Sequence, residues 1–254
     1  MPSQTDEITQ VMSSGIEALS LTYQPVHQFT SPYLLVRTSL NINSLQLGVL
    51  TPEQYGPVVQ RTSQADRLFR RHLHKLLGEI PGLTSGSTPV RWFSLPACGR
   101  MLKNGTLSTV LFEELSGDSG VSASQIFVEI SADLLFEDLD TLLPELGRVS
   151  DLGVGIVLTE VGDEYAPLLR LGKVPFKWAF LDSYPLSTVN TSEESVLEGL
   201  CSFLHVKNCK IIAADLENDL LLRNLEPLGC DGYSLRDAVT DHPDFRQDEE
   251  VQPF

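Results

Sequence analysis

The feature that most constrains the fold is an alternation. Apolar runs of strand length recur from residue 19 to residue 235, and after the first two they are separated by stretches with helical periodicity. Strands are read at 19–26 (LSLTYQPV), 33–40 (YLLVRTSL), 90–95 (VRWFSL), 126–130 (IFVEI), 154–158 (VGIVL), 178–182 (WAFLD) and 210–214 (KIIAA), with a weak eighth over 230–235. The clearest helix spans 52–78. Thr51 is its N-cap and Pro52 its first residue, while Phe69, Leu73, Leu76 and Leu77 fall at i, i+4, i+7 and i+8 on one face. Further helices are read at about 133–150, 163–172, 192–205 and 217–227. The first two strands lie too close for a crossover helix, so they pair antiparallel. The remainder alternate strand and helix, which predicts a mainly parallel sheet. Eight strands in a chain of this length predict an α/β fold, a modified TIM-like (β/α)8 barrel whose first strand is antiparallel. An open doubly wound sheet is the alternative.

Charge narrows the function classes. Asp and Glu outnumber Lys and Arg 34 to 18, giving a formal net charge of −16. A field of that sign repels a nucleic-acid backbone or an anionic membrane, yet leaves room for a small anion in a local basic pocket. Cys98, Cys201, Cys209 and Cys230 form no C-x-x-C pair and no zinc spacing, and read as reduced, mostly buried side chains. The polar start MPSQTDEITQ is not a signal peptide, and no apolar run approaches the length of a membrane span. A soluble cytoplasmic protein is expected, with an N-terminal extension over 1–14, one domain over 15–240 and an acidic mobile tail over 241–254.

In a barrel, function sits where strands end. Those ends carry Glu129, Glu160, Asp182, Asp215 and Glu217. Converging carboxylates suit a hard divalent cation. The competing reading is solvated loop acids and helix N-caps, and in so acidic a chain composition does not choose between them.

Motif order takes the reading further. The segments LGVLTPEQYGPVVQRT, ASQIFVEISADLL, GVGIVLTEVGDEYAPLLRLGKVPFKWAFLD and IIAADLENDLLLRNLEPLGCD occur in this order. Together with Tyr23-Gln24-Pro25, they resemble the EAL-type cyclic di-GMP phosphodiesterases over roughly residues 18–235. The resemblance implies the barrel with an antiparallel first strand. It also implies a site at the barrel mouth where carboxylates and one asparagine hold two divalent ions that activate a water. Position by position, much of that set is missing. Matched on PYLLVR, Tyr33 replaces the signature glutamate, and the literal Glu17-Ala18-Leu19 precedes the first strand and is accidental. Matched on FSLPAC, Pro96 replaces the asparagine. Glu129 is kept and Ala132 replaces the second acid of that strand. Thr159-Glu160 replaces an Asp pair, Phe180 a lysine and Ala214 a glutamate, while Asp182 and Glu217 are kept.

The resemblance therefore implies no catalytic residues, no cofactor and no metal site, with Glu129, Glu160 and Asp182 as residual acids. Gln24, Arg37, Asp182 and Glu217 match positions that contact the dinucleotide. Gln24 reads either so or as a strand-end amide on the barrel floor. Arg37 reads either as a phosphate anchor or as a salt bridge to an orphaned acid such as Glu129. The structural role is favoured in each case, since an acidic mouth without metals repels phosphates. The expected function is a non-catalytic regulatory protein of bacterial signalling that acts through a protein partner. A cyclic di-GMP receptor that binds weakly and does not hydrolyse is the first alternative, and a residual phosphodiesterase with an unusual metal set the second. Two partner surfaces are expected. One is the basic cluster RLFRRHLHK, with Arg67, Arg70, Arg71 and Lys75. The other is an aromatic mouth around Tyr33, Trp178 and Phe180. His72 and His74 face apart on a helix and make a poor metal pair.

Overall fold

In the computed structural model, residues 6–10, 18–62, 64–84, 89–137, 139–161, 168–181, 191–217 and 222–241 are described. Strands β1 (Ala18–Gln28) and β2 (Ser31–Ser44) form a long antiparallel hairpin, in register from Ala18↔Asn43 to Val26↔Leu35, with a shift before the last pair Gln28↔Ser31. The short β3 (Gly48–Leu50) folds back on the far end of β2. Then β4 (Val90–Pro96) joins the other edge of β2 in parallel. It is followed in parallel by β5 (Ile126–Ser131), β6 (Gly155–Val161), β7 (Trp178–Leu181), β8 (Lys210–Leu216) and β9 (Gly232–Leu235). Antiparallel pairing of β9 with β1 closes the ring, with His27 opposite Tyr233. The expected barrel is therefore formed by β1, β2 and β4–β9, with β3 outside the ring, and closure rules out the open sheet.

The helices depart from expectation at specific points. The segment read as one helix over 52–78 is two, Pro52–Arg61 and Ala65–Thr84. Thr62 between them is extended and ends the first helix. The second runs on through Gly78 and Pro81 because Ile80 and Leu83 are buried against the sheet, and core burial there outweighs poor local propensity. Helices Gly99–Asn104 and Leu107–Leu115, absent from the sequence reading, fill the β4–β5 crossover, divided at Gly105 in the left-handed region. The expected helix at 133–150 is a 3-10 turn, Ala132–Phe136, followed by helix Leu139–Asp151. Those expected at 163–172 and 217–227 are seen as Leu168–Leu171 and Leu222–Leu225, and parts of both segments lie outside the described residues, as does the tail after residue 241. Helix Thr191–Val206 agrees with expectation.

Two apolar layers hold the barrel. One lies between the sheet and the helices, where the predicted face Phe69, Leu73, Leu76 and Leu77 is buried, joined by Leu68. The other fills the interior with Val26, Leu35, Trp92, Val157, Trp178, Phe180, Ile212 and Ala214. Trp92 stacks on Phe127 at 4.4 Å between centroids and meets Trp178 edge-on at 5.3 Å. Gly155 makes room for the Phe127 ring, since a Cβ there would lie 2.1 Å from it. This aromatic plug makes the lower barrel a packed core and confines any site to the upper end. No helix among the described residues is long and apolar enough to cross a membrane.

Candidate functional site at the barrel mouth

At the C-terminal ends of the parallel strands the interior turns polar. A cleft of about 720 Å³ opens there, lined among others by Thr22, Gln24, Arg37, Asn41, Glu129 and Asp215. The centre is Arg37, on β2, with its side chain 20 % exposed. Its Nε and Nη2 donate to the two carboxylate oxygens of Glu129, both at 3.1 Å, a bidentate pair across β4. Its Nη1 donates to Asp215 at 3.1 and 3.3 Å and to the Gln24 amide oxygen at 3.2 Å. The Gln24 Nε2 in turn donates to Asp215 Oδ1 at 2.7 Å and to the Leu235 carbonyl at 3.0 Å. Ser94, fully buried on the intervening β4, donates its hydroxyl to Glu129 at 2.5 Å. Phe180 lies against the guanidinium, 4.9 Å from ring centroid to Cζ.

Strand geometry explains why these groups meet. In the parallel register Arg37 is level with Ser94, while Glu129 is level with Pro96, two residues further along β4, and the stagger of the tilted strands lets the side chains of Arg37, Ser94 and Glu129 meet. Asp215 arrives differently. The β8 register slips between Ala213 and Leu216, and Asp215 there has φ 55°. A matching slip on β6 between Leu158 and Val161 holds Glu160 at φ 58°. Each bulge turns a carboxylate toward the mouth in a conformation that non-glycine residues adopt at a cost of about 1–3 kcal/mol. Glu160 receives a hydrogen bond from Ser131 and has no bond to the Arg37 cluster among those observed.

The electrostatics follow from the contacts. Burial disfavours the Arg37 charge, but Glu129 and Asp215 outweigh it and raise its pKa further above its ordinary value. Burial likewise opposes ionisation of Asp215, while Arg37 and Gln24 hold its carboxyl below the usual range. Among the described residues that line the cleft, the carboxylates are Glu53, Glu129, Glu160 and Asp215 and the guanidiniums Arg37 and Arg236, four against two.

Several expectations are corrected by this arrangement. Tyr33 does not lie at the mouth. It sits at the N-terminal end of β2 beside the hairpin turn, 46 % exposed, at the opposite end of the barrel. The β2 residue that faces Glu129 is Arg37. Pro96 is exposed at the end of β4, and the side chain beside Glu129 is that of Ser94. Trp178 belongs to the aromatic plug and Phe180 is buried beneath Arg37, so the aromatic mouth does not form. Gln24 is at the mouth and not on the floor, because β1 runs antiparallel and its early residues lie high. Glu217 stands on the rim with its side chain 75 % exposed, 3.5 Å from Arg236. Asp182 lies outside the described residues. Ser94 is the cluster member that the sequence reading did not single out, while Asp215 was among the strand-end acids but not among the positions matched to the ligand. Asp215 had a signal, an acid directly after an apolar strand, and Ser94 had none beyond strand alternation.

The basic helix is also altered by its surroundings. Arg70 pairs with Glu113 and Glu114, and Lys75 with Glu79, so these cations are neutralised within the molecule. Arg71 is half-buried, and Arg67 is exposed. His72 points inward, 3 % exposed, and bonds Thr38 at 2.8 Å.

The divalent ions implied by the sequence resemblance do not fit this side-chain set. Each oxygen of Glu129 and Asp215 accepts from Arg37. Among the described residues, no group of three or more His, Cys, Asp or Glu is placed to hold a metal.

The sequence profile of the EAL domain matches residues 10–234, and the chain belongs to the EAL domain family. Relatives include the biofilm architecture maintenance protein MbaA of Vibrio cholerae, 23 % identical over 85 % of this chain. Another is the bifunctional diguanylate cyclase/cyclic di-GMP phosphodiesterase MucR of Pseudomonas aeruginosa, 23 % identical over 84 %. The chain spans 27 % and 31 % of those two proteins. Among solved structures, the FimX EAL domain aligns with a TM-score of 0.84 at 13 % identity, covering 97 % of this chain and 99 % of that one. The MucR phosphodiesterase in complex with cyclic di-GMP aligns at 0.80 and 20 % identity, covering 90 % and 94 %. Such likeness establishes the fold.

Proposed function

We propose that this chain is an EAL domain of cyclic di-GMP signalling that does not hydrolyse the dinucleotide and acts through contact with a protein partner. The observation that carries the reading is the position of Arg37. A hydrolytic site needs free carboxylates around its ions, and here the two central ones are bound to a guanidinium at hydrogen-bond distance. Without the ions no water is activated at this place, and Thr159, Phe180 and Ala214 offer no carboxylate or amine in compensation. The test is incubation with cyclic di-GMP and Mg²⁺ or Mn²⁺ followed by chromatography. The expected outcome is unchanged substrate. Linear dinucleotide formed at turnover rates, and lost in Glu129→Gln, overturns the reading.

A second reading, a receptor that binds without hydrolysis, has its own support. The cleft is large and polar, and MucR and FimX domains of the same fold have been solved with cyclic di-GMP bound. Against tight binding stands the engagement of Arg37, which would have to leave two carboxylates to meet a phosphate. Calorimetric titration is expected to give weak binding or none. Tight binding that survives Arg37→Ala would move the ligand to the rim around Arg236.

A further inference from the structure

We infer that Arg37 is the resident cation of the barrel mouth, occupying the point between Glu129 and Asp215 that a divalent ion would need and thereby excluding one from the folded domain. The inference deepens the non-hydrolytic reading, and it is tested without any nucleotide.

Three features carry it. First, the carboxylates come from strands on different sides of the ring, β5 and β8, and still converge on one group. All four of their oxygens lie 3.1–3.3 Å from Arg37 nitrogens. A hard divalent ion needs the same oxygens at roughly 2.0–2.6 Å, around a centre where the guanidinium now stands. The two occupants are mutually exclusive.

Second, the remaining polar groups complete a shell around a guanidinium. Gln24 accepts from Arg37 while donating to Asp215, and Ser94 donates to Glu129. The Arg37 Cζ sits over the Phe180 ring, 4.9 Å from its centroid, a contact suited to a weakly hydrated guanidinium and not to a hydrated metal ion. Third, the charges are uneven. One guanidinium against two carboxylates leaves a single negative charge. Removing Arg37 would leave two, converging and partly buried, which matches the charge and oxygen-only chemistry of Mg²⁺ or Mn²⁺.

Wild-type protein, Arg37→Gln and Arg37→Lys are compared with Mn²⁺ as the probe. The readouts are the thermal unfolding midpoint and the loss of the free-ion electron paramagnetic resonance signal. The wild-type midpoint should not move with Mn²⁺. Arg37→Gln should melt several degrees lower and recover much of that difference with Mn²⁺, as a ligand bound only by the native state requires. Arg37→Lys retains the charge and should stay indifferent to the ion. Stoichiometric Mn²⁺ binding by the wild type that disappears in Glu129→Gln overturns the inference. So does a folded Arg37→Gln that ignores Mn²⁺. If Arg37→Gln does not fold alone, refolding in Mn²⁺ is the readout. Recovery of the native far-ultraviolet spectrum supports the inference, and failure to recover while Arg37→Lys folds overturns it. Because no dinucleotide is present, these outcomes are independent of the hydrolysis test.

Discussion

Arg37 shows how one side chain sets the character of a mouth. Its partners Glu129 and Asp215 are 7 % and 40 % exposed, so the inner pair is a buried ion pair and the outer one is screened by solvent. Removing one member of a buried pair strands the other and costs roughly 3–5 kcal/mol. Arg37→Ala should therefore lower the unfolding free energy in urea by about 3 kcal/mol, and Glu129→Leu by a similar amount. The double variant should lose clearly less than the sum. Additive losses in that cycle would show that the pair is not coupled. Part of this was legible in the sequence. Glu129 was singled out by its place at a strand end, and its pairing with Arg37 was among the expectations. The register of β2 was not legible. A match on a few letters of PYLLVR leaves a 14-residue strand free to slide, and only its pairing with β4 shows that Arg37, not Tyr33, is level with the mouth. The left-handed turn at Asp215 was hidden too, since nothing in KIIAADL announces a bulge.

Contacts between elements depend on a few polar groups buried at their junctions. His72 joins helix Ala65–Thr84 to β2. The Thr38 hydroxyl donates to the Ser94 carbonyl at 2.7 Å, so the His72 Nε2 is left to donate to Thr38, which fixes the neutral tautomer. Burial pushes the imidazole down to about 3 from its ordinary 6.5. The unfolded chain therefore takes up a proton that the folded one refuses. Stability is full above the unfolded value and falls as the pH drops through the window between the two, by about 1.4 kcal/mol per pH unit. Urea unfolding at pH 7, 6 and 5 should show that decline, and His72→Gln should flatten it. An equal slope in both proteins would place the acid sensitivity elsewhere. Glu145 works at another junction. It is 1 % exposed on helix Leu139–Asp151, and its carboxylate accepts from the Ser108 backbone N–H at 2.6 Å, the Ser108 hydroxyl at 3.0 Å and Arg148 at 2.6 Å. It thus satisfies the first turn of helix Leu107–Leu115, whose own N-cap residue makes no side-chain bond. Glu145→Ala should cost about 1–3 kcal/mol and Glu145→Gln less, measured by thermal unfolding. That helix was readable from Leu107, Val110 and Leu111 at i, i+3 and i+4, but Gly105 and Gly117 bracket it so closely that it passes for loop.

For the molecule as a whole, ring closure is the governing fact. The antiparallel start and the β–α alternation made the barrel legible, because those patterns leave few other topologies open. The seam itself was not, because β9 is short and weakly apolar. At that seam Gly232 presses its backbone against β1, where a Cβ would fall 2.1 Å from the His27 carbonyl oxygen. Gly232→Ala should therefore spring the ring, seen as a loss of several degrees in the unfolding midpoint and faster hydrogen exchange along both β1 and β9. Unchanged exchange would show that the strands tolerate a wider gap. The seam also sets an order of events in time. Gln24 bonds the carbonyl of Leu235, 211 positions later, so during synthesis the β1–β2 hairpin emerges long before the strand that completes its pairing. Until β9 emerges, β1 presents an unpaired edge that invites mispairing with other chains. Deleting β9 should then yield aggregates rather than a smaller folded barrel, and the domain should be vulnerable to proteases during synthesis far longer than after release.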